Sequence, residues 1–223
     1  DLLAAVAIAF AIRRAPRIAP RPATQLKLSL KPLLRGRLGR LLLGVGAFEF
    51  GNVAATLLIL RATEALTPTF GLDRATQIGL GLYAAYNLAA TVISIPAGHL
   101  GDKRGPVGVL ILGAAATLLG YVSFTTTDPV VLALGFVLAG FGIGCMETVQ
   151  HAAVASFAPT DLRGSAFGML AAIQSLGSVC ASASAGLIWT LVSPSAAFTY
   201  LAGWMAVAIA ATAWTHRSLS RSS

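Results

Sequence analysis

Charged residues are scarce in this chain of 223 residues, where they account for 11% and hydrophobic residues for 56%. An ordinary soluble domain carries about 25% charged residues, so this sequence has too few to cover a surface that faces water. Disorder is excluded as well, because disordered segments are poor in apolar residues. Mean hydropathy is +0.78, and the composition that remains is that of a polytopic membrane protein.

The residues that build metal sites and disulfide frameworks are also few. The two cysteines, Cys145 and Cys180, both lie in apolar segments, and the three histidines are dispersed at positions 99, 151 and 216. No CxxC or HExxH pattern points to a metal site, and no Walker A motif points to ATP hydrolysis. The sequence therefore predicts no metal, no cofactor and no enzymatic activity.

Six apolar stretches are long enough to cross a bilayer. A hydrocarbon core of about 30 Å takes about 20 helical residues, and each stretch is bounded by short polar segments. The predicted fold is an all-α polytopic helix bundle with six complete transmembrane helices, at residues 41–60, 77–98, 107–126, 130–157, 166–192 and 196–215.

The opening apolar run, Leu2 to Ile12, is too short to be a seventh span. Eleven helical residues cover about 16 Å at 1.5 Å each. Its positive charges, Arg13 and Arg14, follow the apolar residues, whereas those of a signal peptide precede them. We therefore predict that 1–12 is the truncated end of a transmembrane helix and that the sequence is a fragment of a longer protein.

A basic segment at 13–40 holds nine Lys or Arg residues, no acidic residue and four prolines. Such a run occurs in proteins that bind nucleic acid, but a cytoplasmic linker obeying the positive-inside rule is the better interpretation. We expect no nucleic-acid partner. With this linker inside and the sides alternating along the chain, fourteen of the sixteen basic residues lie inside, and only Arg61 and Arg74 lie outside.

This orientation predicts a multi-pass protein of the cell (cytoplasmic) membrane, with anionic lipid headgroups against the basic linker. The bundle proper is predicted at 41–215, followed by a cytoplasmic tail at 216–223. Helix-start residues agree with the borders, since Pro106 and Pro129 suit a first helical turn and Asp128 suits an N-cap. The other inner segments are 99–106 and 158–165, and the outer loops are 61–76, 127–129 and about 193–195.

Two stretches of sequence resemble one family of membrane proteins. Residues 98–105, GHLGDKRG, stand at the inner end of the 77–98 helix and resemble the G-x-L-a-D-[RK]-x-G loop motif of the major facilitator superfamily. One departure is that Pro106 and Val107 follow, where the family usually has basic residues. The second stretch, similar to helices ten and eleven of the family, includes Gly142-Ile143-Gly144, Glu147, Ala152-Ala153, Pro159, Arg163-Gly164 and Ala166-Phe167-Gly168.

The resemblance covers nearly the whole chain, as the end of helix six plus helices seven to twelve. It implies a secondary transporter built from two six-helix halves, each a pair of inverted three-helix repeats, with the substrate between the halves. This chain would be the C-terminal half, and its partners would be the missing N-terminal half and a small-molecule substrate. By the same resemblance, Asp102 engages the opposing half, in a gating motif that comprises Gly98, Asp102, Lys103, Arg104 and Gly105.

Polar faces on four of the predicted helices are the candidate substrate or ion cavity. Ionisable side chains inside a membrane are costly and need a reason, and helical spacing puts the polar residues of each helix on one face. Thr91, Ser94, Ser178 and Ser182 extend these faces. The candidate cavity residues are Glu49, Asn52, Thr56, Tyr83, Asn87, Glu147, His151 and Gln174.

The alternative interpretation is interhelical packing, for which Ser, Thr and small residues are ordinary glue in membranes. Glu147 is either part of the cavity or a structural partner of a cation such as His151. Glu49 is either a proton carrier or cation ligand, or a neutral carboxyl group held by Asn87 or Thr56. The small-residue lines Gly140–Gly144 and Gly177–Ala181–Ala185 are expected to pack closely, with sliding of the helices as the alternative.

The resemblance thus predicts secondary active transport of a small solute by alternating access, with the efflux-type permeases as the most similar members. Two alternatives remain open. One is a proton-coupled uptake symporter, and the other is a half-length membrane scaffold or receptor that does not transport.

Overall fold

The computed structural model describes residues 36–220, and side chains up to Trp214. The predicted helix end at 1–12, most of the linker 13–40 and residues 221–223 lie outside the described residues. Between 36 and 220 the chain is all-α, which confirms the predicted fold class. The helices are α1 Gly36–Gly51, α2 Ala55–Phe70, α3 Leu72–Arg104, α4 Pro106–Ser123, α5 Pro129–Phe157, α6 Arg163–Leu191 and α7 Pro194–Ser220.

Six helical segments in this part of the chain are long and apolar enough to cross a membrane, as predicted. The first of them, Leu38–Phe70, combines α1 with α2, and the last, Pro194–Trp214, is the greater part of α7. The described chain is therefore a multi-pass membrane helix bundle.

Two predicted loops are almost entirely helical. Within 61–76 only Gly71 interrupts the helices, and within 99–106 only Gly105 does. These two glycines have φ values of +76° and +86°, in the region that only glycine adopts without strain, so each forms a one-residue joint. Charged residues mark the loops in the sequence, but the helices continue past them because a helix end can extend beyond the hydrocarbon. Likewise, α1 begins five residues before the predicted start at 41, and α7 runs into the predicted tail.

The predicted helix starts at α4 and α5 are confirmed. Pro106 and Pro129 occupy the first turn of their helices. The Asp128 carboxylate caps α5 by accepting hydrogen bonds from the backbone N–H groups of Val130 and Val131, at 2.9 and 3.0 Å.

Five helix termini lie together at one end of the bundle: the starts of α1 and α6 and the ends of α3, α5 and α7. The start of α1 lies against α7, where Arg40 contacts the ring of Trp214. The end of α5 lies against the start of α6, where the rings of His151 and Phe167 stack. The end of α3 lies near the end of α5 as well. We call this the basic end, since Arg40, Lys103, Arg104 and Arg163 belong to it.

Glycines on α5 let two neighbouring helices approach its backbone. A Cβ atom at Gly140 would overlap the carbonyl oxygen of Tyr86 on α3, and one at Gly144 would lie 2.5 Å from that of Ala90. On the side facing α4, a Cβ atom at Gly142 would lie 2.6 Å from the carbonyl oxygen of Gly113. The predicted close packing of Gly140 and Gly144 is therefore confirmed, and α5 is held between α3 and α4.

An aromatic cluster fills the other end of the bundle and joins α4, α5 and α7. The ring of Phe124 lies 5.0 Å from that of Phe136 and 5.0 Å from that of Phe198. All three side chains are fully buried, and their ring separations lie in the range that aromatic pairs favour. The cluster fixes the end of α4, from which Tyr121 points toward the first span.

Candidate functional site

The first span is broken near its middle, between Gly51 and Ala55. The prediction of one continuous helix over 41–60 is wrong at this point. Gly51 and Asn52 have low helix propensity, and Gly51 is pressed against α7, where a Cβ atom would overlap the Met205 side chain. The break leaves α1 and α2 as two half-helices inside one membrane span.

Side chains from two other helices accept hydrogen bonds from the backbone N–H groups that the break exposes. Val53 N–H donates to the hydroxyl of Tyr121 at 3.3 Å, and Ala54 N–H donates to the hydroxyl of Ser182 at 3.2 Å. Irregular backbone at membrane depth persists only where such groups find partners within the protein. Tyr121 on α4 and Ser182 on α6 therefore hold the break in place.

Glu49 lies in the last turn of α1, directly before the break, and is only 4% exposed. Asn52 donates its side-chain amide to Glu49 Oε2 at 3.1 Å, so the two residues lie side by side as the helical spacing predicts. Gly177 of α6 lies close against Glu49, since a Cβ atom there would lie 2.6 Å from the Cβ of Glu49. The described partner of the carboxyl group is Asn52, rather than the predicted Asn87 or Thr56.

Thr56 does not continue the face of Glu49 and Asn52. It lies in α2, beyond the break, and is exposed. The predicted register assumes one helix, and the three non-helical residues at 52–54 reset it.

A polar ladder runs along α3, as the spacing of its residues predicts. The side chains of Asn87, Thr91 and Ser94 each donate to the carbonyl oxygen four residues earlier, all at 2.8 Å. Asn87 and Thr91 remain exposed. The ring of Tyr83 stacks on that of Tyr86 with centroids 5.7 Å apart, which adds an aromatic surface beside the ladder.

Glu147 lies in α5 and is exposed. It interacts electrostatically with Glu49 of α1 and with Tyr86 of α3. His151, one turn away, is exposed and stacks on Phe167 at 6.2 Å. Two carboxyl groups on different helices are thus near enough to interact electrostatically. The pairing of Glu147 with His151 stays a prediction.

The polar face of α6 has two different roles along its length. Gln174 and Ser178 are half-buried, and Ser182 accepts a hydrogen bond from the Ala54 N–H at the break. Gly177, Ala181 and Ala185 are buried, in agreement with the predicted small-residue packing line.

Sequence reasoning missed the role of Arg61. The charge pattern predicts it in an outer loop, whereas it lies within α2 and is only 5% exposed. Its guanidinium donates to the carbonyl oxygens of Phe124 at 2.8 Å and Thr126 at 2.9 Å. These carbonyls follow the end of α4, where the last carbonyl groups of a helix lack partners. The role of Tyr121 was missed as well, because the sequence around a tyrosine in an apolar stretch does not indicate the hydrogen-bond partner of its hydroxyl.

The predicted gating motif forms the last turn of α3 and its joint to α4. Asp102, Lys103 and Arg104 are exposed, and Gly105 supplies the positive φ of the joint. Asp102 borders a cavity of about 330 Å³ between α3 and α5, which Gly98 also lines. Pro106, the departure from the family pattern, occupies the first turn of α4, so the chain passes from one helix to the next without a loop.

Within residues 36–220, no three His, Cys, Asp or Glu side chains come together as a metal site would require. The candidate site therefore consists of a buried carboxyl group, that of Glu49, beside a broken helix, together with polar side chains of neighbouring helices. Its exposed side chains project from α3 and α5.

Residues 42–222 match the family model described as Major Facilitator Superfamily. The chain is similar to an uncharacterised MFS-type transporter of Methanocaldococcus jannaschii, with 32% identity over 69% of this chain and 38% of that protein. It is also similar to a gentisate transporter of Corynebacterium glutamicum, with 36% identity over 48% of this chain and 25% of that protein.

The chain thus spans well under half the length of these curated relatives. The family match covers both the helices and the basic-end motif of 98–105 that carries the resemblance. The broken first span, the carboxyl groups of Glu49 and Glu147 and the six spanning helices all lie inside or overlap the matched region. The chain belongs to the Major Facilitator Superfamily.

Proposed function

We propose that this chain is the C-terminal half of a secondary active transporter that moves a small solute by alternating access, and that protons bound at Glu49 and Glu147 couple the transport. The observation that carries the proposal is the burial of the Glu49 carboxyl group beside a helix break, where its hydrogen-bond donor is Asn52, with the exposed Glu147 of α5 as the second acidic residue of the candidate site. The substrate site would form between this half and the N-terminal half.

Repulsion between the two carboxyl groups links their charge state to proton binding. Two carboxylates in a medium of low dielectric constant repel each other more strongly than in water, and binding of a proton or a cation by either one relieves that repulsion. Because Glu49 is covered by Gly177 and bonded to Asn52, loss or gain of its proton acts directly on the end of α1. A proton that binds on one side of the membrane and leaves on the other provides the coupling.

The direction of transport is the second part of the proposal. The sequence resembles efflux-type permeases, in which proton entry would drive solute exit. A proton-coupled uptake symporter uses the same two carboxyl groups with both fluxes in one direction. Gentisate, the solute in the name of one relative, is the first compound to test.

The test reconstitutes the protein at its natural length in liposomes, with pH gradients of either sign and labelled gentisate among a panel of small aromatic acids. Efflux-type exchange predicts solute movement against the proton flux, whereas symport predicts movement with it. Solute transport that ignores the pH gradient would overturn proton coupling. A non-transporting scaffold would move none of the panel at any gradient.

The variants Glu49→Gln and Glu147→Gln test the residues. Each keeps the size of the side chain but cannot bind a proton reversibly, so each is expected to abolish pH-driven accumulation while exchange of solute down its own gradient persists. Glu64→Gln, at an exposed position of α2, is the matched control and should behave as the wild type. Wild-type accumulation and pH profile in Glu49→Gln would make Glu49 a structural residue.

We also propose residence in the cell membrane, with the basic end in the cytoplasm. The charge bias of the sequence supports this orientation. Cysteine labelling with an impermeant reagent in intact cells tests it.

A further inference from the structure

Positive charges are distributed unevenly along the helices. Helix α5 contains no lysine or arginine, and neither does α3 between Arg74 and Lys103 or α6 after Arg163. Arg61 lies deeper in the bundle, but it is buried and its guanidinium donates to carbonyl oxygens just beyond the end of α4. The middle of the exposed faces of α3, α5 and α6 therefore carries no lysine or arginine side chain.

Glu147 provides a negative charge on these faces. It is exposed and lies four residues from the middle of α5, which is about 6 Å along the helix axis. Helix α3 runs alongside, since Gly144 packs against Ala90, and a Cβ atom at Gly98 would lie 3.5 Å from the side chain of Thr148. Glu147 is therefore held beside the polar ladder of α3 at membrane depth, where an ionisable side chain indicates a functional position.

The ionisable residues nearest to Glu147 do not supply a fixed positive charge. Glu49 is a second carboxyl group, buried at the end of α1. His151 lies one turn closer to the basic end and stacks its ring on that of Phe167. Among the described residues, an anion at the depth of Glu147 would thus meet carboxyl groups and no lysine or arginine.

Aromatic rings lie on both sides of Glu147 along the membrane normal. The half-buried rings of Tyr83 and Tyr86 on α3 stack with their centroids 5.7 Å apart. On the side of the basic end, the exposed Phe167 stacks on His151 at 6.2 Å. The face of an aromatic ring attracts a cation, and the rings also provide apolar surface for the body of a solute.

An organic cation suits these faces better than a metal ion. Among the residues that the structure describes, no three His, Cys, Asp or Glu side chains come together, whereas protein metal sites combine several such ligands. A protonated amine needs one counter-charge and a surface for its apolar part. The exposed carboxyl group of Glu147 and the tyrosine rings of α3 provide both.

We propose that the transported solute is an organic cation, namely a protonated amine with an aromatic body. This inference rests on the proposed function, because it takes the exposed faces of α3, α5 and α6 as part of the substrate path. The ammonium group pairs with Glu147, and the aromatic body lies against Tyr83 and Tyr86. Because this pairing is stronger in a medium of low dielectric constant than in water, charge complementarity selects a cation over an anion of the same shape.

The test measures binding to the protein at its natural length in detergent, at pH 7 and without a proton gradient. The probes are matched sets that keep the ring and change the charge: phenethylamine, phenylethanol and phenylacetate; tyramine, tyrosol and 4-hydroxyphenylacetate; tryptamine, tryptophol and indole-3-acetate. We expect at least one amine to bind about tenfold more tightly than its matched alcohol. Failure of every amine to bind, or tighter binding of an acid than of its matched amine, would overturn the proposal.

The variant Glu147→Gln tests the partner of the ammonium group. It keeps the size of the side chain and removes the charge, so it should abolish the preference for the amine while affinity for the alcohol stays within about twofold. Glu147→Asp should retain most of the preference. Glu64→Gln, at an exposed position of α2, is the matched control and should retain all of it. An unchanged preference in Glu147→Gln would overturn Glu147 as the partner of the cation.

Transport of the same probes in liposomes separates the charge of the solute from proton coupling. Binding of an amine whose transport ignores the pH gradient would leave the solute class standing and overturn proton coupling. Transport driven by the pH gradient for the aromatic acids alone would leave proton coupling standing and overturn the organic cation.

Discussion

The hydroxyl of Tyr121 accepts a hydrogen bond from the backbone N–H of Val53 at 3.3 Å, across 68 residues of sequence. This contact ties the fourth helix to the point where the first span stops being helical. Broken helices are common at the binding sites of secondary transporters. In this chain, the hydroxyl of a buried tyrosine provides the hydrogen-bond acceptor that the Val53 N–H group lacks once the helix is broken.

Tyr121→Phe is expected to destabilise the protein. It keeps the ring of Tyr121 in the core but leaves the Val53 N–H without its acceptor, at a cost of about 1–3 kcal/mol for a buried group. The measurement is the melting temperature in detergent, with Tyr200→Phe on α7 as the control. If the two variants had the same melting temperature, the hydroxyl of Tyr121 would not stabilise the break.

Arg61→Met should lower stability more than the loss of an exposed arginine does. The substitution strips two hydrogen bonds from the carbonyls of Phe124 and Thr126, and each orphaned carbonyl costs about 1–3 kcal/mol. Arg74→Met, at an exposed position in the first turn of α3, is the control. Thermal unfolding of both variants decides the point, and an equal effect would contradict the capping role of Arg61.

Gly144→Ala should disturb the packing of α5 against α3. The added Cβ atom would lie 2.5 Å from the Ala90 carbonyl oxygen and 2.5 Å from the Ile93 side chain, so the two helices must separate. Gly186→Ala is the matched control, because a Cβ atom there meets nothing within 4 Å. We expect a lower melting temperature and lower transport for Gly144→Ala alone, and wild-type behaviour of that variant would refute the close approach.

Asp102→Asn tests the gating role that the family motif implies. It removes the charge at the end of α3 and keeps the shape, so transport should fall while expression stays normal. Asp73→Asn, which changes an exposed aspartate at the other end of the same helix, should leave transport unchanged. Equal transport rates in the wild type and both variants would leave Asp102 without a gating function.

The orientation of the bundle can be tested by cysteine labelling in a variant that lacks Cys145 and Cys180. A cysteine at Ser29, in the basic linker, should resist an impermeant thiol reagent in intact cells. A cysteine at Thr69, exposed near the end of α2, should react. The opposite pattern would reverse the predicted topology.

The sequence by itself determined the class of this protein. Charge scarcity and six apolar stretches are sufficient to predict six spanning helices, because every backbone polar group in a bilayer core must be paired within its own segment. Proline and aspartate mark the starts of α4 and α5, because capping is decided within one helical turn. The motif at 98–105 indicates the family because it is a short local pattern, which can be recognised without knowledge of any tertiary contact.

Only the tertiary structure decided where the first span breaks and what surrounds Glu49. The break depends on Met205 and Trp204 pressing against Gly51, and on acceptors that Tyr121 and Ser182 bring from elsewhere in the chain. None of these contacts has a local periodicity, so no helical spacing could predict them. The burial of Arg61 has the same cause, since its acceptors lie more than sixty residues away. Partners distant in sequence are set by how the helices pack, and packing is a property of the assembled bundle.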